Sequence, residues 1–278
     1  MKNNNEIVVT LLGTVSPYCK DDKNCPGFLI EINDKRILLD CGSGITRLLN
    51  MQKDLDNLTI IISHLHKDHY SDLSSIAYAS YVYKNLGYLQ DRIKVYIPKG
   101  DTIEVDEHYK DEDGWGAVRR ITKPIADYEY LMNFGKENYL EIISYTSEEK
   151  INIDNIEITF TKNPHQIITN SIKINYKDII LVYSSDTGYQ NNKLESFAKD
   201  ADLFICESTY LKGQYKNSDN HLYAYEAALI AATANVKELL LTHFWPEIDR
   251  QKYIDEASEI FQNVTAAKEN KKLILRRV

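Results

Sequence analysis

The stretch Leu58-Thr59-Ile60-Ile61-Ile62-Ser63-His64-Leu65-His66-Lys67-Asp68-His69 decides how the rest of this chain is read. Its first five residues form a continuous, β-branched run, the pattern of a short strand buried on both faces. The polar residues that follow place three imidazoles and a carboxylate within six positions. A loop leaving a rigid strand can turn alternate side chains inward, which a helix could not do for His64 and His66 together, and Leu65 and Lys67 would then face away. Neutral imidazole and carboxylate are the donors preferred by Zn²⁺, Mn²⁺ and Fe²⁺. The chain has only 7 histidines and three stand here, so random placement on a polar turn explains the cluster poorly.

Working outward, three of the other four histidines also sit at informative places. His243 closes the apolar run Leu239-Leu240-Leu241-Thr242, His165 follows an alternating run in Asn163-Pro164-His165, and His221 stands just before a helical pattern. Asp186, in Ser184-Ser185-Asp186-Thr187-Gly188, lies at another strand end. Ligands at the ends of several strands converge on one rim of a scaffold, which is how a site is assembled from distant sequence. His108 has no such context and reads as a surface residue.

Strands are expected at 7–12, 28–32, 36–39, 58–62 and 94–97, with Asn33-Asp34 as hairpin chemistry between the second and third. After the histidine loop, 70–86 carries Leu73, Ile76, Ala77 and Ser80 at helical spacing and stops at Gly87. Residues 99–150 keep no single period and read as an insertion, either a cover over a site or a surface excursion with two short helices. Strands return at 156–160, 171–176 and 179–183, followed by strand 202–206, helix 222–234, strand 238–241 and helix 249–261. Each half is thus strand-rich sequence, then a helix and an apolar strand ending in histidine, as two packed sheets flanked by helices require. One domain spanning 1–278 is expected.

The composition bounds the function. Hydrophobic residues are 43% and charged residues 27% of the 278 positions, an ordinary globular mix. With 33 basic and 41 acidic residues the net charge is −8, which repels polyanions and argues against a nucleic-acid partner. The start, MKNNNEIVVTLLG, lacks the apolar stretch of an export signal and no window has membrane-span character, so a cytoplasmic protein with no membrane partner is expected. The four cysteines form no CxxC pair and are expected as reduced thiols; Cys19 and Cys25 flank a polar loop, but two thiolates do not complete a tetrahedral metal site.

The histidine loop, followed by a distant His, an Asp and a final His, resembles the HxHxDH signature of the metallo-β-lactamase superfamily, from Leu39-Asp40-Cys41-Gly42 through to Leu241-Thr242-His243-Phe244. The resemblance implies an α/β fold, the four-layer αββα sandwich, and a two-metal site, with zinc expected and Mn²⁺ or Fe²⁺ as alternatives. Carried over residue by residue, His64, His66 and His165 would hold one ion, Asp68, His69 and His243 the second, and Asp186 would bridge them. Asp40 would orient ligands from behind the loop.

The superfamily name does not fix the chemistry. True β-lactamases lack the bridging Asp that Asp186 supplies, and the diiron oxygen reductases carry Glu where this chain has His66. Cys206-Glu207-Ser208-Thr209-Tyr210 and His221-Leu222-Tyr223-Ala224-Tyr225-Glu226-Ala227-Ala228 resemble the ribonuclease Z branch of phosphodiesterases. There the Glu orients the His, and the His protonates the leaving oxygen. An alkoxide is a poor leaving group, so a carboxylate-poised imidazolium is what P–O cleavage needs beyond the metals. Catalytic roles are therefore expected for Asp68, His221 and Glu207. Ribonuclease Z proper holds tRNA with a long arm between its third metal His and its bridging Asp. Here His165 and Asp186 are 21 positions apart, which leaves no room for that arm.

The chain looks more like the compact relatives that hydrolyse cyclic nucleotides, anti-Pycsar enzymes among them. The expectation is a metal-dependent phosphodiesterase acting on a small phosphodiester, 3′,5′-cyclic nucleotides first, and working as a homodimer. A tRNA 3′-end endonuclease is the alternative, with an ester or lactone hydrolase behind it. Arg119 and Arg120 are candidate phosphate contacts, though exposed arginines on such an edge are more often solvated charge.

Overall fold

The computed structural model describes residues 6–277 apart from 101, 111–115, 125, 138, 190–192 and 215–219. In chain order the strands are β1 (Glu6–Gly13), β2 (Gly27–Ile32), β3 (Lys35–Leu39), β4 (Leu58–Ile61), β5 (Ile93–Pro98), β6 (Thr102–Lys110), β7 (Gly116–Pro124) and β8 (Leu140–Tyr145). They continue as β9 (Lys150–Ile153), β10 (Ile156–Lys162), β11 (Asn170–Tyr176), β12 (Ile179–Tyr183), β13 (Leu203–Glu207), β14 (Leu239–Thr242), β15 (Val264–Ala266) and β16 (Lys272–Arg276). The helices are α1 (Met51–Asp54), α2 (Lys67–Tyr70), α3 (Leu73–Asn85), α4 (Ala126–Glu137), α5 (Lys193–Phe197), α6 (Ala224–Thr233) and α7 (Arg250–Ser258).

Two seven-stranded sheets carry the fold, in the orders β16-β1-β2-β3-β4-β5-β8 and β15-β14-β13-β12-β11-β10-β9. They are built alike. In the first, β16, β1, β2 and β3 pair antiparallel, and β3, β4, β5 and β8 then run parallel. In the second, β9 to β12 pair antiparallel, and β12 to β15 run parallel.

Period-two alternation explains how the layers stack. Phe28, Ile30 and Ile32 of β2 belong to the core shared with the second sheet, whereas Leu29 between them joins Leu38, Ile60 and the α3 residues Leu73, Ile76 and Ala77 on the outer face. The shared core meets Ile158, Phe160, Ile172, Ile174 and Leu181 from the opposite sheet. On the far side of the second sheet, Ala224, Ala227, Ala228 and Ala231 of α6 are buried, small residues that let the helix lie close. The result is helix, sheet, sheet, helix, the αββα sandwich expected from sequence.

Residues 99–150 differ from the two short helices expected of a surface excursion. They form a β-hairpin, β6 with β7, in a separate two-stranded sheet, then α4, and then β8, which returns to pair with β5 at the edge of the first sheet. The physical reason is that a solvated hairpin alternates charge on both faces and leaves no apolar period to read. Arg119 and Arg120 lie on β7, but their side chains, like that of His108, are outside the described residues. No helix among the described residues is long and apolar enough to cross a membrane.

Candidate metal centre

Parallel strands of both sheets point their carboxyl ends at one rim, and the site stands there. Asp40 follows β3, His64 follows β4, Asp186 follows β12, Glu207 ends β13 and His243 follows β14. His165 follows β10, which is antiparallel to β11 and so runs in the same sense as β12. Three of the turning points are non-glycine residues with left-handed backbone: Asp40 (φ 58°), Ser185 (φ 53°) and His243 (φ 63°). Such conformations are uncommon outside glycine and cluster where the surrounding structure enforces them. Here they bend each chain out of its strand so that the next side chain faces the rim.

The histidine loop is a short extended piece and then one helical turn. His66 is the extended residue before α2, while Asp68 and His69 lie on α2 itself. Leu65 is buried in the outer core and Lys67 is turned outward, where its Nζ meets Asp127 Oδ1 of α4 at 2.5 Å. The turn fits only because Gly42 lies beneath it: a Cβ there would come within 2.0 Å of the Asp68 carbonyl.

Two groups of donor atoms result. In one, His66 Nδ1 lies 3.1 Å from His64 Nε2 and 3.2 Å from His165 Nε2, and Asp186 Oδ2 is 3.5 and 3.8 Å from the latter two. In the other, Asp186 Oδ1 lies 3.0 Å from His243 Nε2 and 3.3 Å from His69 Nε2, with Asp68 Oδ2 at 3.8 and 3.6 Å from the same nitrogens. Asp186 faces both groups. The seven residues that the resemblance assigns as ligands are therefore all brought together. His221 also comes within 4.0 Å of Asp186, and with Asp186 and His243 it makes a third possible ligand group. No cysteine joins a metal-ligating group among the described residues; Cys19 and Cys25 are free, with their sulfurs 3.8 Å apart.

The donor set fits divalent ions on three counts. His69 Nε2, His243 Nε2 and Asp186 Oδ1 are buried with no hydrogen-bond partner, though buried polar atoms are nearly always satisfied. The outer nitrogens of four rings are instead engaged, which fixes which nitrogen faces inward. His64 Nδ1 meets Ser63 Oγ at 3.1 Å, His69 Nδ1 meets Asp40 Oδ2 at 2.7 Å, His165 Nδ1 meets the Asn220 carbonyl at 3.0 Å and His243 Nδ1 meets Thr209 Oγ1 at 2.9 Å.

Electrostatics gives the third count. Burial, and then the charge on His69, holds His64 well below the usual imidazole range. Burial with His165 holds His66 down at about 4, and burial lowers His165 as well. These three are neutral, the form that donates a lone pair. Burial would lower His69 too, but Asp186, Asp68 and Asp40 around it outweigh that and raise it well above its ordinary value. The Asp186 carboxyl is held well below the carboxylate range, because the charges of His243, His69 and His64 outweigh its burial. Carboxylate crowds this pocket, and a cation there satisfies it.

Glu207 and His221 form a separate unit beside the ligands. Glu207 is fully buried; its Oε1 accepts from His221 Nδ1 at 2.9 Å and from Thr187 N at 2.9 Å, and its Oε2 accepts from Thr209 Oγ1 at 2.8 Å. Burial tends to lower His221, but the Glu207 charge and hydrogen bond, with Asp186 behind them, raise it to about 9. Its side chain is 21% exposed, against 3% or less for His64, His69, His165 and His243. The arrangement holds a protonated imidazole at the open edge of a metal-binding cluster.

Sequence reasoning missed several supporting residues. Ser16 Oγ donates to Asp68 Oδ2 at 2.7 Å across 52 positions, and Tyr183 OH donates to Asp40 Oδ2 at 2.8 Å across 143. Thr209 joins Glu207 to His243. A serine in an irregular loop gives no local signal of a partner so far along the chain; Tyr183 and Thr209 at least stand in the motifs that carry Asp186 and Glu207.

Comparison with known proteins agrees with this geometry. The chain is 27% identical over 237 residues to the probable metallo-hydrolase YhfI of Bacillus subtilis (strain 168), covering 84% of this chain and 86% of that one. It is 27% identical over 311 residues to a ribonuclease Z of Clostridium acetobutylicum, covering 95% and 96%. The crystal structure of YhfI, a metallo-β-lactamase fold protein, matches with a TM-score of 0.79 at 23% identity, over 97% of this chain and 99% of that one. The chain is thus a metal-dependent hydrolase of the metallo-β-lactamase superfamily, in its ribonuclease Z-like branch. The profile of the anti-Pycsar protein Apyc1 family matches residues 7–265, nearly the whole of the sequence, and the chain belongs to that family.

Proposed function

We propose that this hydrolase is a phosphodiesterase that opens 3′,5′-cyclic nucleotides to nucleoside monophosphates. The observation that carries the reading is the Glu207–His221 pair, 2.9 Å apart, beside Asp186. Cleaving a phosphodiester expels an alkoxide, which needs a proton, whereas an ester or lactone hydrolase has no need of a second charge-poised donor outside the ligand set. The family membership and the ribonuclease Z relative support phosphodiester chemistry.

His64, His66 and His165 with Asp186 Oδ2 would hold one divalent ion, and Asp68, His69 and His243 with Asp186 Oδ1 the other; zinc suits the imidazole-rich set, and Mn²⁺ or Fe²⁺ share its donors. When bound, two such ions supply Lewis-acid charge for the phosphate oxygens and a nucleophilic water at neutral pH. Asp68, pinned by Ser16, orients the attacking water. Glu207 fixes His221 through Nδ1, which leaves Nε2 to give its proton to the departing ribose oxygen as the P–O bond breaks. The product is a monophosphate with a free sugar hydroxyl.

Charge and architecture favour a small substrate. A precursor tRNA offers dozens of phosphates, and binding such a polyanion calls for basic surface or a clamp. This chain has net charge −8, and between His165 and Asp186 it has only two strands, β11 and β12, and their turn. The proposal includes a cytoplasmic enzyme working as one domain and as a homodimer. In support of pairing, α3 has a second apolar stripe opposite its buried one, with Tyr78 66% and Leu86 60% exposed and Tyr81 and Val82 between them.

The purified protein is expected to carry about two transition-metal ions per chain by elemental analysis, and to hydrolyse cyclic nucleotides far more efficiently than precursor tRNA, with weak salt dependence. Full activity after chelation, or salt-sensitive tRNA cleavage with no cyclic-nucleotide turnover, overturns the reading. His221→Ala is expected to keep its metal and lose roughly 10²–10⁴-fold in cyclic-nucleotide hydrolysis, but far less on bis(nitrophenyl) phosphate, whose leaving group hardly needs a proton. Equal losses on both substrates, or lost metal, would make His221 a ligand or a structural residue. Asp40→Asn should weaken metal retention about 10- to 100-fold in chelator competition, the usual effect of losing a ligand's supporting carboxylate; unchanged retention would remove Asp40 from the site. Sedimentation equilibrium should give twice the 32.1 kDa chain mass, falling to one chain in Tyr78→Glu/Val82→Glu. A monomeric wild type would refute the pairing.

A further inference from the structure

Phe244 and Trp245 follow His243 and go opposite ways. The left-handed turn at His243 sends Phe244 into the core, fully buried with its ring 4.7 Å from that of Tyr253, and leaves Trp245 36% exposed. The indole is nonetheless held. It stands edge-on to Tyr210, with ring centres 5.4 Å apart and planes at 74°, and Tyr210 stands edge-on to His221 at 6.2 Å. Tyr210 also meets Tyr223 at 5.8 Å, which stacks on Tyr225 at 5.5 Å. An aromatic wall therefore borders the proposed proton donor, and Trp245 is its exposed end.

The backbone under the indole is fixed to the site as well. The Trp245 carbonyl accepts from Ile248 N at 3.1 Å, and the Phe244 carbonyl accepts from Ser16 N at 3.0 Å. Ser16 is the residue whose hydroxyl holds Asp68. The rim on which Trp245 sits and the carboxylate that faces the reacting phosphate thus share one anchor.

Polar groups beside the indole are engaged with one another. Glu247 accepts from Tyr18 OH at 2.8 Å and from Lys20 Nζ at 3.3 Å, and the Pro246 carbonyl accepts from Lys23 Nζ at 2.5 Å. What the wall offers a ligand is a ring face rather than a set of donors matched to one base edge. Every nucleobase has a π face, so such a surface binds bases without choosing among them.

We propose that Trp245, backed by Tyr210, is the platform on which the nucleobase of the substrate stacks, and that it serves purines and pyrimidines alike. The inference rests on the phosphodiesterase reading. In that reading His221 reaches a ribose oxygen, and the base is carried by the same sugar, so a ring surface one aromatic residue away from His221 stands where a base arrives.

The test uses metal-loaded enzyme with 3′,5′-cyclic AMP, 3′,5′-cyclic UMP and an abasic 3′,5′-cyclic ribose phosphate. Trp245→Ala is expected to raise KM for both nucleotides by roughly 10- to 100-fold, the range of one lost aromatic stack, with kcat little changed. Trp245→Phe should restore most of the loss, and the abasic substrate should not distinguish the variants. An unchanged KM in Trp245→Ala, or an equal loss on the abasic substrate, overturns the platform and leaves the phosphodiesterase reading intact. A wild type that turns over neither nucleotide overturns both. A second measurement is independent of turnover. The chain has 2 tryptophans, so in Trp115→Phe the indole emission comes from Trp245 alone, and saturating AMP should quench it. Emission that AMP does not change overturns the platform.

Discussion

The buried carboxylate of Asp40 is the interaction on which the site hangs. It has no solvent exposure, and four groups donate to it: Ser63 N at 2.7 Å, Ser63 Oγ at 2.9 Å, Tyr183 OH at 2.8 Å and His69 Nδ1 at 2.7 Å. A carboxylate removed from water is costly unless it is paired and its lone pairs are filled, and removing one partner of a buried pair typically costs about 3–5 kcal/mol. The donors come from the loop after β4, from α2 and from β12, so the same demand that keeps Asp40 ionised fastens the first sheet to the second. Ser185 extends the chain, donating to Ser63 Oγ at 2.7 Å. A group that looks like minor support is thus the point where the two halves agree on register.

That fastening explains why the sandwich is symmetric and its site is not. Each sheet delivers its loops to the rim from the carboxyl ends of similarly directed strands, where backbone groups leave the ladder and must find other partners. The first sheet contributes His64, His66, Asp68 and His69 from one continuous loop, whereas the second contributes His165, Asp186 and His243 from three separate strand ends. A local cluster fixes the spacing of one set of ligands, and the shared core between the sheets fixes where the other set meets it. Thr209 and Ser16 then tie neighbouring strand ends, so that no ligand depends on its own backbone alone.

How much of this was legible in the sequence follows from how local each signal is. The run 58–69 reads directly, because strand, loop and donor types sit side by side, and β1 to β5 and β10 to β14 show their alternation plainly. Asp186, His165 and His243 could be placed at strand ends, and the resemblance brought them to one site. Edge strands were not legible: β9, β15 and β16 are short or half-exposed and owe their structure to pairing partners rather than to pattern. β8 has four partly or fully exposed positions out of six, and it was lost within 99–150 together with the hairpin that precedes it. The helical turn at Asp68 was read as loop because one turn is too short to show a period. Trp245 was quoted within Thr242-His243-Phe244-Trp245, but only the structure shows that Phe244 turns inward and Trp245 outward.

Placement of the acids divides the six imidazoles of the site by role. His64, His66 and His165 crowd one another in a buried place, and desolvation with mutual repulsion keeps them neutral, as a ligand must be. His69 lies among Asp40, Asp68 and Asp186, and His221 lies against Glu207; charge outweighs burial at both and holds the proton on. The two protonated rings differ in one respect that decides their chemistry. His69 is sealed from solvent, so its proton answers a local excess of carboxylate that a metal ion can answer equally well. His221 keeps an open edge, and its carboxylate partner belongs to no ligand group, so its proton remains available when the ions are in place. A single residue type at the same rim is thereby sorted into lone-pair donors and a proton donor by where Asp40, Asp186 and Glu207 stand.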